Sequence, residues 1–454
     1  MLLILLVLLT LFFVLFNFNF SNGDYLNPAT LLSEIILLFS SMCLFYVDKY
    51  EIEFNLLTVI VLFLVQFIFS TINFFTSSTQ RKKSNAHLEV TRVSEINLSK
   101  NIKLLIIIFQ IIAILFFIKY IRDISFASGR GGGLFDWISN FDGLFKFKYD
   151  YFVTLGVSQS KIYSILEYPV ECLGYFVTYI TVNNYVYNKK LDKINLVIIL
   201  LHLFKGLLTG SRSPLFRVVT MILILYYILF NRKYGRKSGN FSTLIKIIAS
   251  VLVITPLFIF VLSLMGRSTD TTDFSHYIFL YTGAPLLNLN NYLATYSTSE
   301  VSIFGEQTLR TFYGFLYGKT GFDIFKVTNI ISNFSFVRST NGIGTGNVFT
   351  AFYMFVYDWG IKGVILFTSI MAIYYVPVYK FLVNRINGVQ YKFDLTLFFY
   401  AYLFNDLVML LFSNRFFETT MRESFFRFSF VAFILYSILF TKKMKFGKYI
   451  FKLG

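Results

Sequence analysis

TSSTQRKKSNAHLEVTRVSEINLSKNIK, residues 76–103, is the longest polar connector in the first half of the chain. It sets Arg81, Lys82, Lys83, Arg92, Lys100 and Lys103 between two apolar runs, residues 56–75 and 104–121. Each run approaches the ~20 residues that a helix needs to cross a bilayer core. Lys and Arg concentrate in the short loops on the cytoplasmic side of a membrane, so this connector is expected inside. Every other span then takes its direction by alternation.

Toward the N-terminus, residues 31–47 and 1–20 make the second and first spans. No basic residue precedes the first and no small-residue cleavage site follows it, which reads as a retained helix rather than a secretory signal. The N-terminus is therefore expected outside. Toward the C-terminus, further spans are expected at residues 162–187, 194–208, 215–230, 247–265, 364–382, 395–412 and 425–440. The connectors that alternation places inside carry Lys189, Lys190 and Lys193, then Arg232, Lys233, Arg236, Lys237 and Lys246, then Arg385 and Lys392, and finally Lys442, Lys443, Lys445 and Lys448. This agreement gives about eleven spans with the C-terminus inside. The expected fold is an all-α polytopic membrane protein.

Composition agrees. The chain is 56% hydrophobic and 14% charged, with a mean hydropathy of +0.65. Its net charge of +17 is accounted for by cytoplasmic connectors, so no nucleic-acid partner is expected. Cys43 and Cys172 lie in separate apolar runs, which points to neither a disulfide framework nor a zinc site. Three regions follow: a membrane bundle at 1–265, a large extracytoplasmic loop at 266–363, and a second bundle with a basic tail at 364–454. The loop passes through an aromatic-rich run at 277–296 and closes with GIGTGNVFT at 342–350 and YDWG at 357–360.

Ionisable side chains are costly in a bilayer, so those inside spans or at their ends are candidates for function. Arg212 sits in the turn TGSRSP, 209–214, at the outer end of a helical hairpin. Its planar, permanently charged fork suits a phosphate or pyrophosphate, and the alternative is an interfacial arginine reaching for headgroups. Arg415, Arg422 and Arg427 stand beside Glu418 and Glu423 at another outer turn, either as a self-paired connector or, where Arg415 converges with Arg212, as a pocket for an anionic lipid-linked group. Arg310 and Arg338 are solvated loop residues or anion contacts. Glu167 and Glu171 lie four apart on one helix face, as a pair able to take a proton from a hydroxyl or as polar residues facing a watery crevice. Asp406 is a similar single acid, and Asp358 either functions or caps a helix that begins near Gly360. Of His87, His202 and His276, only His276 is expected on the outer side. No cluster has metal-ligand spacing, and no cofactor is expected. The glycine run at 129–133 is an anion nest or a flexible loop.

This layout, with GSR on a mid-chain hairpin and GNVFTAF…YDWGIKG at 346–363, resembles the oligosaccharide repeat-unit polymerases of the Wzy type, which build O-antigen and capsular polysaccharides. The resembling segments are 208–226, 281–293 and 340–363. The resemblance implies a glycosyltransferase of GT-C-like architecture. Such an enzyme moves a growing glycan from undecaprenyl diphosphate to the non-reducing end of the next undecaprenyl-diphosphate-linked oligosaccharide, at the outer face of the cell membrane. It implies pyrophosphate or substrate contacts at Arg212 and at Arg310 or Arg338, to which the reading of the residues adds Arg415, Arg422, Asn347 and Asp358. It implies a catalytic role for Arg212, with His276 standing where related ligases use a histidine, and Glu167 and Glu171 join them as catalytic candidates from their own placement on one helix face. The implied partners are membrane lipids, a chain-length regulator and a flippase. An O-antigen ligase or other lipid-linked-sugar glycosyltransferase, a lipid-linked oligosaccharide flippase or transporter, and a non-catalytic scaffold stay open as alternatives.

Overall fold

The computed structural model describes residues 1–78, 95–234, 274–296, 303–327, 337–384, 393–441, 443–446 and 449–452. The expected span at 247–265, His87, and the basic residues at 81–83, 92, 236–246, 385 and 392 lie outside them. Among the described residues the fold is helical, with short two-stranded pairings at β1 (Val337–Arg338) with β2 (Gly344–Gly346) and at β3 (Lys443–Phe446) with β4 (Tyr449–Lys452). Seven helices are long and apolar enough to cross a membrane. They are α1 (Leu2–Phe20), α2 (Pro28–Phe45), α4 (Leu56–Ser78), α5 (Lys100–Ala127), α10 (Ser213–Tyr234), α14 (Ala351–Asn384) and α17 (Glu423–Tyr436), the last running on through a π turn to Thr441. The other helices, in chain order, are α3 (Val47–Tyr50), α6 (Leu134–Phe147), α7 (Tyr149–Thr154), α8 (Lys161–Asn188), α9 (Lys193–Leu207), α11 (Phe274–Thr282), α12 (Ala284–Ala294), α13 (Arg310–Thr320), α15 (Leu395–Val408) and α16 (Arg415–Thr420).

The chain forms two compact units. The first comprises residues 1–88, 271–385 and 403–426, and the second 89–270, 386–402 and 427–454. Both turn the soluble-protein pattern outward. Leu8, Phe12 and Leu15 on α1, Leu105, Ile108 and Leu115 on α5, and Ile365, Ile370 and Ile373 on α14 are exposed, while polar side chains are buried. Hydrocarbon rather than water surrounds such surfaces, and buried polar groups must then find partners inside the bundle.

In the first unit α1, α2, α4 and α14 pack together, and a polar chain fixes their register. Asn17 donates to Ser70 Oγ at 2.8 Å and lies within 3.4 Å of the Ala29 carbonyl and Ser33 Oγ. Asn73 donates back to Asn17 Oδ1 at 3.2 Å, and the Tyr379 hydroxyl donates to both oxygens of buried Asp24. Lys380, buried within α14, donates to the Asn73 carbonyl, Thr76 Oγ1 and Ser77 Oγ at 2.6, 2.8 and 2.5 Å. It thereby caps the carbonyl end of α4, where a cation complements both the free acceptors and the helix dipole. Lys380→Met should lower stability by about 2–3 kcal/mol, since hydrogen bonds to charged groups contribute more than neutral ones. Thermal unfolding in detergent measures this, and an unchanged midpoint would contradict the capping role.

The second unit is built on α5, α8, α9 and α10, with the amphipathic α6 laid against α5. Ser99 caps α5 through the Ile102 amide, and Asp192 caps α9 through the Ile194 amide. Lys103 donates to Asp192 at 2.5 Å, and this bond holds the Asp192 carboxyl below the usual carboxylate range. At this same end Lys233 donates to the carbonyls of Val186 and Tyr187, and Arg232 pairs with buried Asp394 at 3.2 Å. Basic residues thus gather at one end of the unit, and the α9–α10 turn lies at the other.

One expectation changes. The segment closing the long loop is helix from Ala351 onward, and α14 breaks at Trp359 and Gly360 rather than beginning there. Gly360 adopts φ 58 and ψ −142, which a side chain forbids, and a Cβ on Gly363 would meet the Phe355 carbonyl at 2.1 Å. The aromatic-rich run at 277–296 is α11 and α12 packed into the first unit. Phe279, Leu286, Leu287 and Leu289 are buried, and Asn290 bonds to Asn55, Thr58 and the Glu53 carbonyl.

Candidate functional site

Arg212 directly precedes α10, and its carbonyl accepts the Phe216 amide at 3.1 Å. The turn that carries it is held by its own hydroxyls. Ser211 N–H donates to Thr209 Oγ1 and Ser213 N–H to Ser211 Oγ, each at 3.3 Å, while Thr209 donates to the Gly206 carbonyl at 2.7 Å. Gly210 has φ 69, and a Cβ there would lie 2.4 Å from Asp142 Cβ. Only glycine fits a left-handed turn pressed so closely on α6. Asp142 is itself buried and paired with Lys146. The arginine therefore leaves a rigid turn at the N-terminal end of a 22-residue helix, where backbone amides also favour an anion.

Below this turn α8, α9 and α10 contribute a ladder of polar side chains. Pro169 deprives α8 of one backbone donor between Glu167 and Glu171, and Lys205 of α9 donates to the Glu167 carbonyl at 3.4 Å. The Lys205 ammonium also lies 5.7 Å from the Tyr163 ring centre. Glu167 is within electrostatic reach of Lys205, Glu171 and Arg427. One level further in, the Arg217 guanidinium stands 4.4 Å over the Tyr402 ring, and Tyr402 meets Tyr175 edge-on at 5.1 Å. Tyr175 in turn meets His202 at 4.6 Å, and His202 lies flat against Gly174, where a Cβ would come within 2.4 Å of its ring. His202 is buried, and among the described residues neither ring nitrogen has a hydrogen-bond partner.

Arg212, Glu167, Glu171 and Arg427 thus belong to the second unit, and His276, Arg310, Arg338, Asn347, Asp358, Asp406, Arg415 and Arg422 to the first. There, Arg310 opens α13 and bonds to Glu418 at 3.4 Å, while Lys319 at the far end of α13 reaches Glu423 at 3.4 Å. Cations of the long loop thus reach both acids that were expected beside Arg415, Arg422 and Arg427. Arg415 is half-buried and makes no ion pair among the described residues, and Arg422 is exposed. Asp358 does not cap a helix at Gly360. Its two oxygens accept the backbone amides of Gln307 and Thr308, each at 2.8 Å, and Asn414 donates to the Thr308 carbonyl at 3.1 Å. Both side chains staple the turn that delivers Arg310.

His276 is hydrogen-bonded to the Tyr50 hydroxyl at 2.6 Å and stacked on that ring, which commits its Nδ1 to a contact within the first unit. Arg338 is exposed and donates to the Gly342 carbonyl at 3.1 Å, bracing the β1–β2 hairpin. Asn347 is half-buried between Thr345 and Val348, both tied to Asn288 of α12. Among the described residues no three His, Cys, Asp or Glu side chains gather as a metal site requires.

Sequence reasoning passed over Lys205, Arg217 and Tyr402. The signal was present for the first two, since both are cations within apolar helices flanking Arg212. Tyr402 had none, because its role comes from a cation on a helix nearly two hundred residues away. Comparison with known proteins finds no family model, no curated protein and no solved structure that matches this chain.

Proposed function

We propose that this protein is a lipid-diphosphate-oligosaccharide polymerase of the cell membrane. In this reading it has about eleven spans, a GT-C-like architecture, a cytoplasmic C-terminus and the α9–α10 turn at the outer face. The observation that carries it is the second unit's polar end. Arg212 on its rigid turn, Lys205 and Arg217 share with the acids Glu167 and Glu171 the end of the unit where α8, α9 and α10 pack together. Fixed guanidinium groups and helix-end amides stabilise the charge that develops on a leaving diphosphate. A nearby carboxylate takes the proton of the attacking sugar hydroxyl.

The reaction then balances within the site. The bond from the anomeric carbon to the diphosphate oxygen breaks, and undecaprenyl diphosphate leaves with the electron pair toward the cations. A bond forms from that carbon to a hydroxyl at the non-reducing end of the incoming repeat, whose proton passes to Glu167 or Glu171. A tail that never leaves the bilayer and a glycan that lies outside it meet at this helix end. Substitution of the acids tests the proton step. Glu167→Gln or Glu171→Gln should slow elongation by about 10²–10⁴-fold while lipid-diphosphate binding persists. Full elongation by the double variant would remove both from the mechanism.

A further inference from the structure

His202 of the second unit is a buried imidazole with both nitrogens unpartnered among the described residues. An unmade hydrogen bond in an apolar interior costs about 1–3 kcal/mol, so such a group in a packed helix pair calls for an account. Simple packing is a poor one. The ring occupies a place that exists only because position 174 lacks a side chain, and an aliphatic residue would fill it without the polar cost.

Its surroundings indicate what it meets. Lys205 lies one turn outward on the same helix face, and Leu208, where the turn begins, lies about 9 Å outward at 1.5 Å per residue. The Tyr175–Tyr402 pair joins the histidine to the Arg217 guanidinium. On α8, Glu171 is one turn outward of Gly174. A group entering from the Arg212 turn thus passes Lys205 and Arg217 before it reaches the imidazole. Lys205, Arg212 and Arg217 outnumber Glu167 and Glu171, so the ladder favours an anion.

We propose that His202 is a binding residue for the tail-proximal phosphate of an isoprenyl diphosphate, donating a ring N–H to it at the floor of the ladder. The inference rests on the reading of the site as a lipid-diphosphate site and names the phosphate that reaches deepest. A sugar or free pyrophosphate has no reason to descend so far into apolar surroundings. An isoprenyl chain holds its first phosphate at that boundary.

The chain contains three histidines, His87, His202 and His276, so ring-nitrogen NMR of the full-length protein labelled with ¹⁵N-histidine is assignable by substitution. Farnesyl diphosphate is the probe, with farnesol and inorganic pyrophosphate as the separate arms. The expected result is a His202 shift with farnesyl diphosphate and none with either control. His202→Leu should weaken binding of the probe about 10- to 100-fold, as the loss of one hydrogen bond to a charged group implies, and His202→Gln should restore part of it. A silent His202 resonance on saturation, or unchanged affinity in His202→Leu, overturns the proposal. So does an equal shift with pyrophosphate alone, which would remove the isoprenyl component. If the wild-type protein elongates lipid-linked repeats while His202 stays silent, this inference fails and the polymerase reading stands. If it neither elongates nor binds farnesyl diphosphate, both fail.

Discussion

Arg212→Ala is expected to reduce chain elongation by about 10²–10³-fold or more, the range seen when a fixed donor to a developing oxyanion is removed. Expression and thermal stability should change little, because the turn is held by backbone and hydroxyl contacts rather than by the guanidinium alone. Arg212→Lys separates charge from shape. An ammonium keeps the positive charge but loses the two-pronged geometry that matches a diphosphate, so activity should recover only in part. Gel-resolved products of lipid-linked repeats measure both variants. Equal elongation by wild type and Arg212→Ala would displace the turn from the site.

Asp358→Ala carries the largest expected effect on stability. Its carboxylate is buried and satisfies two backbone amides fifty residues earlier in the chain, those of Gln307 and Thr308. Truncation leaves both donors unmet in a buried turn, at about 1–3 kcal/mol each. We expect a loss of about 3–5 kcal/mol and much faster amide hydrogen exchange at Gln307 and Thr308. Asp358→Asn should rescue at most half. An amide supplies one accepting oxygen and turns its own NH2 toward the second donor. The turn precedes Arg310, so its loosening should also weaken the Arg310–Glu418 contact. Normal exchange protection in Asp358→Ala would mean that the turn is held by other contacts.

The helical bundle was legible because hydrocarbon demands long apolar runs, and α1, α2, α4, α5, α10, α14 and α17 supply them. The expected spans at 162–187, 194–208 and 395–412 are also helices, yet α8 is interspersed with polar residues and α9 and α15 are short. A helix surrounded by other helices can carry Glu167, Glu171, Thr178, Thr181, Asn183 and Asn184, since its neighbours rather than lipid meet them. The helical start at Ala351 was obscured by glycines at 342, 344 and 346, which do form a turn and strand, and by Gly360, which breaks the helix from within.

The site was legible where local chemistry alone decides it. Glycine, serine and proline around Arg212 announce a tight turn, and the turn forms as those residues direct. Long-range partners were invisible. Nothing near Asp358 in the chain names Gln307 and Thr308, so a helix cap was the natural expectation. Glu418 and Glu423 stood beside arginines in sequence but found Arg310 and Lys319 across the first unit, because α13 brings cations to both ends of that short connector. His276 met Tyr50, a residue more than two hundred positions away.

The proposed polymerase must extend glycans on lipid-linked substrate by itself. Purified full-length protein in liposomes, supplied with undecaprenyl-diphosphate-linked repeat units, should yield a ladder of glycans that differ by one repeat, with one undecaprenyl diphosphate released per step. Movement of intact lipid-linked units across the bilayer without any elongation would contradict it.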